Sequence, residues 1–148
     1  MAVNPQVSQG NLNRVRASVI IPAFPTLNIN SSHMGKQFLN LEWEEAFGDQ
    51  IETGTGVVNS PAPYVKGTCT INILRSQLIA SQWQAQVDAT SIIGRIVVHP
   101  DSTVYPAQTV HDCQILRASP GRMDGLNPTI DVIITGVRYV NNNLWNMV

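Results

Sequence analysis

Charge is what this sequence has least of. Only 13% of its 148 residues are Asp, Glu, Lys or Arg, about half the usual share for a soluble globular chain. Nine Lys and Arg stand against ten Asp and Glu, a formal net charge of −1. The basic residues are scattered, so no stripe exists to neutralise nucleic-acid phosphates, which argues against tight DNA binding. Aromatics are scarce at 6%, which counts against a stacking platform for sugars. No stretch approaches the roughly 18 to 20 apolar residues needed to cross a bilayer. The opening Met1-Ala2-Val3-Asn4-Pro5-Gln6 lacks the basic-then-apolar layout of a signal peptide. The expectation is a protein made and kept in the cytoplasm, with no membrane partner.

Reactive and ligating residues are equally sparse. The two cysteines, Cys69 and Cys113, each fall within a strand-like apolar alternation, so buried free thiols are expected. The alternative is a cross-link formed after release into oxidising surroundings, which needs a Cα separation that sequence does not supply. His33, His99 and His111 are far apart and stand in no ligand spacing. Gly-x-Ser-x-Gly, Gly-x-x-x-x-Gly-Lys and dinucleotide fingerprints are missing, so acyl transfer, nucleotide hydrolysis and hydride transfer lack their usual support. His111 and Cys113 are two apart on a predicted strand and should share a face, where a structural pairing is commoner than a thiol nucleophile. No catalysis, metal or cofactor is expected.

What the chain does have is apolar residues, 43% of the total, enough for one domain with a real core. The missing charges are replaced by neutral polar residues, as in Asn11-Leu12-Asn13, Ser81-Gln82-Trp83-Gln84 and Asn141-Asn142-Asn143. Such a surface does little to oppose self-association.

Residues 1–13 are polar and turn-prone and read as a flexible arm. Residues 14–148 read as a single β domain. Val15, Ala17, Val19 and Ile21 alternate with Arg16, Ser18 and Ile20 up to Pro22, a strand with one buried face. Pro25 to Asn30 reads as a short edge strand and Asn28 to Lys36 as a loop. Leu39, Leu41 and Trp43 alternate with Asn40, Glu42 and Glu44, and Gln50 to Val58 resumes a β pattern after Gly48-Asp49. Together they predict one long hairpin, with Gly54 and Gly56 marking a bulge or a close backbone approach in its return strand. Asn59 to Pro63 reads as a loop, followed by a strand with Cys69, Ile71 and Ile73 on one face. The period then changes: Ile79, Ala80, Trp83 and Val87 recur at spacings of three and four, predicting one helix over about 76–89, capped by Ser76. Strands return at Arg95–His99, Val110–Ala118 and Thr129–Val140. In the last, Val137 and Tyr139 fall on the opposite parity from Ile130, Val132 and Ile134, so a bulge at Gly136 is expected to restore both to the core. The fold class is mainly β, an antiparallel sandwich or barrel with one packed helix.

The charge pattern has one concentration. Glu42, Glu44, Glu45, Asp49 and Glu52 supply half of the ten carboxylates within eleven residues. Paired carboxylates can hydrolyse glycosides, but Glu42 and Glu44 fall on the solvent face with no apolar pocket beside them. A solvated or interface-facing strand is the stronger reading, or an acidic lining that repels passing DNA.

The order of these elements resembles the tail-tube proteins of contractile bacteriophages, whose fold is shared with type VI secretion tubes. An early strand, a long acidic hairpin, the Gly67-Thr68-Cys69-Thr70-Ile71-Asn72-Ile73-Leu74 strand, the helix after Ser76 and closing strands between Pro/Gly turns carry the likeness, over roughly residues 14–140. The resemblance implies homohexameric rings stacked into a tube inside a sheath, in a virion tail assembled in the host cytoplasm. Its partners would be further copies, the tail sheath protein, and baseplate and tail terminator proteins, with the tape measure protein and DNA passing through the lumen without specific binding. By the same analogy Glu45, Phe47, Asp49, Ile51, Thr53 and Gly54 contact another subunit or ring. Glu42, Glu44 and Glu52 would line the lumen, Ile79, Trp83 and Val87 pack the helix, and Trp145 and Met147 dock the C-terminus. The competing readings are a β-sandwich binding or adhesion module, for example for carbohydrate, and a small hydrolase using the acidic cluster.

Overall fold

The computed structural model describes residues 16–76, 78–101, 105–123 and 125–145. The arm predicted at residues 1–13 lies outside them. Six strands form one antiparallel sheet: β1 (Ala17–Ile20), β2 (Met34–Trp43), β5 (Tyr64–Leu74), β6 (Ile92–Pro100), β7 (Gln108–Ala118) and β8 (Thr129–Tyr139). Their order across the sheet is β1-β6-β7-β8-β5-β2. Between β2 and β5 the chain leaves this sheet to make a separate hairpin, β3 (Gly48–Glu52) with β4 (Val57–Pro61). One long helix, α1 (Leu78–Ala89), follows β5, and a single turn, α2 (Asn142–Trp145), follows β8.

The large sheet is curled into a half-barrel, and its concave face holds the core. Val19 and Ile21, Cys69, Ile71 and Ile73, Ile93, Ile96 and Val98, Val110, Cys113 and Ile115, and Val132 and Ile134 are all buried together. In β5 and β8 these are every-other residues, as side chains that alternate across a pleat require, whereas register shifts in β6 and β7 break the alternation between Ile93 and Ile96 and between Val110 and Cys113. The helix closes the curl by its predicted face: Ile79, Ala80 and Trp83 are buried, and Val87 packs against the same cluster. It begins at Leu78 instead of 76. Burying Trp83 completely contributes on the order of 3 kcal/mol from apolar area alone. That is reduced by its indole N–H, which has no partner among the described residues.

The central pair β5–β8 runs in unbroken register over eleven residues, from Tyr64↔Tyr139 to Leu74↔Thr129. This corrects the bulge expected at Gly136. The irregularity belongs to β7, where His111 faces Val137 but Gln114 faces Thr135, and where Asp112 has φ 51. An extra residue there turns the strand over, so Cys113 is buried while His111 stacks 5.2 Å from the Tyr139 ring. The shared face expected for His111 and Cys113 is therefore wrong. Val137 and Tyr139 stay on the convex side. Gly136 is instead a point of close approach: a Cβ there would sit 2.5 Å from Val110 Cγ1, 2.7 Å from Cys113 Sγ and 2.8 Å from the His111 carbonyl.

The hairpin expected from Leu39 to Val58 is also wrong in its pairing. Leu39, Leu41 and Trp43 face Ile71, Cys69 and Gly67 of β5, because only β5 offers their apolar faces an apolar partner. The true hairpin is β3–β4, with Gly54 and Gly56 in its turn, where no atom approaches within 4 Å of a Cβ. Asn59 to Pro61 belong to β4 and not to a loop. Of the edge strand expected at Pro25–Asn30, only one bridge exists, Val19↔Ile29, after a 3-10 turn at Pro25–Leu27 that proline favours. The loop expected up to Lys36 contains a second 3-10 turn, Ser31–His33, before β2 begins at Met34. It is capped by Asn30, whose side chain accepts from Ser32 N at 3.0 Å.

These contacts predict opposite outcomes for two glycines. Gly136→Ala should destabilise the fold by about 2 kcal/mol or more, since the atoms it meets include backbone. Gly54→Ala should change stability by less than about 0.5 kcal/mol. Urea denaturation of the two variants measures both.

Candidate functional site: an acidic and apolar hairpin

No cluster of three or more His, Cys, Asp or Glu able to hold a metal occurs among the described residues, and no helix there is long and apolar enough to cross a membrane. The feature that stands apart is the β3–β4 hairpin. Its tip is tied by Thr53: the Thr53 N–H donates to the Gly56 carbonyl at 2.7 Å, the Thr53 hydroxyl donates to the same oxygen at 2.8 Å, and Gly56 N–H donates back to Oγ1 at 3.1 Å. Across the two strands the Gln50 amide donates to Asn59 Oδ1 at 3.0 Å.

Opposed residues of an antiparallel pair share a face. Ile51 lies opposite Val58, and Glu52 opposite Val57, so each face of the hairpin carries apolar and carboxylate or polar side chains together. None of the described residues covers them. Phe47, Ile51, Val57 and Val58 are 49%, 55%, 57% and 53% exposed, and Asp49, Glu52, Thr53 and Gly54 are exposed as well. A two-stranded hairpin with no packed face is marginally stable in water, and this one is held only at its base. There Ala62 N–H donates to the Phe47 carbonyl at 3.0 Å, and the Asn141 side-chain amide donates to the carbonyls of Phe47 at 3.0 Å and Ala62 at 2.7 Å.

Asn141 is left-handed, with φ 54, which aims its amide back at the hairpin and starts α2. The C-terminal segment thereby borders a groove of about 650 Å³ that Phe47, Asp49, Gln50, Asn59 and Leu144 help to line. Trp145 ends α2; Met147 lies outside the described residues. Patterning alone missed Asn141, since nothing in its sequence neighbours marks a residue that anchors a hairpin through bonds 79 and 94 positions earlier.

The remaining acidic residues sit on the approach to the hairpin. Glu42 is exposed on β2 and accepts from the Asn40 amide at 3.0 Å. Glu44 accepts from the Thr68 hydroxyl, and Glu45 is exposed. No apolar pocket encloses any of them. Trp43 leans over Gly67, where a Cβ would come within 2.5 Å of its ring, and carries Arg138 at 5.3 Å over its face. Leu39, Leu41, Trp43 and Tyr105 also border an apolar groove of about 260 Å³ between β2 and the Ala17–Pro100 end of β1 and β6.

Both cysteines are free and buried. Burial, and then the neighbouring Cys113, pushes the Cys69 thiol up to about 12. Burial also pushes Cys113 up to about 12, against a lowering backbone hydrogen bond at Ile96. A thiol held protonated is a poor nucleophile. Because the folded state keeps protons that unfolded thiols lose above their ordinary value of 9.0, these residues leave stability unchanged below pH 9 and lower it between pH 9 and about 12. Urea midpoints measured across that range should fall less steeply in Cys69→Ala/Cys113→Ala than in the wild type. Ellman's reagent at pH 8 should label neither thiol until the chain is unfolded.

No family model matches the chain, and no curated protein matches it.

Proposed function

We propose that this chain is a structural subunit that assembles with copies of itself. Its resemblance to contractile-tail tube proteins gives the assembly its form: hexameric rings stacked into the inner tube of a phage tail, a conduit for DNA. The observation that carries the reading is the uncovered β3–β4 hairpin, whose exposed apolar residues have no core of their own and gain one only against another molecule.

Two further features support it. The β1 edge is covered by its own chain, since Val19 and Ile29 exchange hydrogen bonds of 2.8 and 2.9 Å. The first half of β2 is disrupted where Met34 and Leu39 face Ile73 and Ile71, with Phe38 at φ 53. Both are ways of blunting an edge. The Leu39–Trp43 half of β2 has neither, and it borders the apolar groove, so a strand from a neighbouring subunit would pair there and continue the sheet from one copy to the next. The carboxylates of residues 42–52 then belong to the assembly and not to a reaction centre, consistent with their exposure. In a tube they would repel DNA from the wall.

Negative-stain microscopy of the purified full chain tests this directly: annular particles or hollow rods are expected. Ile51→Asp/Val58→Asp should keep the native circular dichroism and thermal transition yet fail to form rods. A wild-type chain that sediments as a monomer at about 100 μM, where a self-associating subunit is assembled by mass action, overturns the proposal.

A further inference from the structure

The ladder from Tyr64↔Tyr139 to Leu74↔Thr129 separates two ends of the sheet by about 35 Å. The acidic hairpin leaves from the Tyr64 end. Its segment, residues 44–63, contains Glu44, Glu45, Asp49 and Glu52 and no Lys or Arg. At the opposite end is a groove of about 440 Å³ bordered by Arg75, Arg117, Arg122, Ser119, Asn127 and Asp131 among others.

This second groove is built, not incidental. Arg75 follows the last residue of β5, and its backbone N–H donates to the Pro128 carbonyl at 2.8 Å. Its guanidinium donates to the carbonyls of Arg122 at 2.6 Å and Thr129 at 3.3 Å, which pins the loop after β7 against β8. Arg75 Nε is buried without a partner among the described residues. The Arg117 guanidinium is exposed and makes no ion pair among them. Among the described lining residues the one carboxylate, Asp131, accepts from the Asn72 amide at 2.9 Å, leaving that lining net positive. Beside it, Met123 and Leu126 are 81% and 88% exposed. The hairpin presents carboxylates with Ile51, Val57 and Val58, and this end presents arginines with Met123 and Leu126. The two surfaces are complementary in charge and in apolar character.

We infer that the hairpin of one copy docks in the arginine groove of the next, head to tail, so that Glu52 and its neighbouring carboxylates meet Arg117 and Arg75 across the contact. The inference rests on the self-assembly reading and adds the polarity of stacking and the residues that set it. A head-to-tail contact between unlike surfaces at opposite ends of the molecule propagates as a stack unless its rotation closes a ring. Each single contact is weak and salt-sensitive, but a ring repeats it once per subunit and so makes it cooperative.

Charge reversal in the full chain provides the test. Wild-type rods should shorten towards single rings as salt rises from about 50 mM to about 0.5 M, in micrographs and in sedimentation velocity alike. Arg117→Glu or Glu52→Arg alone should raise the concentration needed for stacking roughly tenfold while rings persist. The double variant R117E/E52R should recover rods. Single variants that stack like the wild type overturn the inference, as does a double variant no better than either single. Inorganic phosphate that binds the groove without shortening rods overturns it too. A wild type that makes no rings in any salt instead removes the self-assembly reading beneath it.

Discussion

The unbroken eleven-residue ladder between β5 and β8 is the constraint on which the rest depends. Because its register never slips, the concave face keeps Cys69, Ile71, Ile73, Val132 and Ile134 together and the core has a floor. One consequence is the cross-strand pair Gly67↔Gly136, two residues without side chains at the centre of that floor. The Gly67 side of the gap is filled by Trp43, and the Gly136 side by Val110 and Cys113. Only a strand that bulges at Asp112 can push both Val110 and Cys113 inward over Gly136, so the straight ladder on one side dictates the irregular one on the other.

A core confined to the concave face also explains what lies outside it. The β3–β4 hairpin emerges where β2 ends and β5 begins, beyond the reach of those buried side chains, and the Asn141 amide ties its base to the body through the carbonyls of Phe47 and Ala62. Segregated charge follows from the same layout. The carboxylates of residues 44–63 leave from the Tyr64 end of the β5–β8 ladder, and Arg75, Arg117 and Arg122 border the groove at its Leu74 end. On a chain with only 13% charged residues, such separation gives the molecule a direction, which a repeating assembly requires and a simple globule does not.

Much of the fold was legible in the residues. Alternation at Cys69-Ile71-Ile73 and Ile130-Val132-Ile134 marked strands, and the spacing of Ile79, Trp83 and Val87 marked the helix. Some errors were of element type, since Asn59–Pro61 is strand and Pro25–Leu27 is a 3-10 turn; the others were in pairing. Leu39–Trp43 next to Gln50–Val58 looked like one hairpin because chain neighbours usually pair, and Gly136 looked like a bulge because parity changed beside it.

Sequence by itself determined which residues are apolar, at what period, and therefore that strands and one amphipathic helix must form around a single core. It also determined that five carboxylates crowd into residues 42–52. Only the tertiary structure decided that β2 pairs with β5, that the extra residue sits in β7 opposite a glycine, that Asn141 anchors a hairpin far away in the chain, and that Arg75, Arg117 and Arg122 share one groove. The physical reason is the same in each case. Periodicity is a local property fixed by backbone geometry, whereas register and side-chain convergence depend on which distant surfaces can fill one another's gaps, and that is settled only when all of them pack at once.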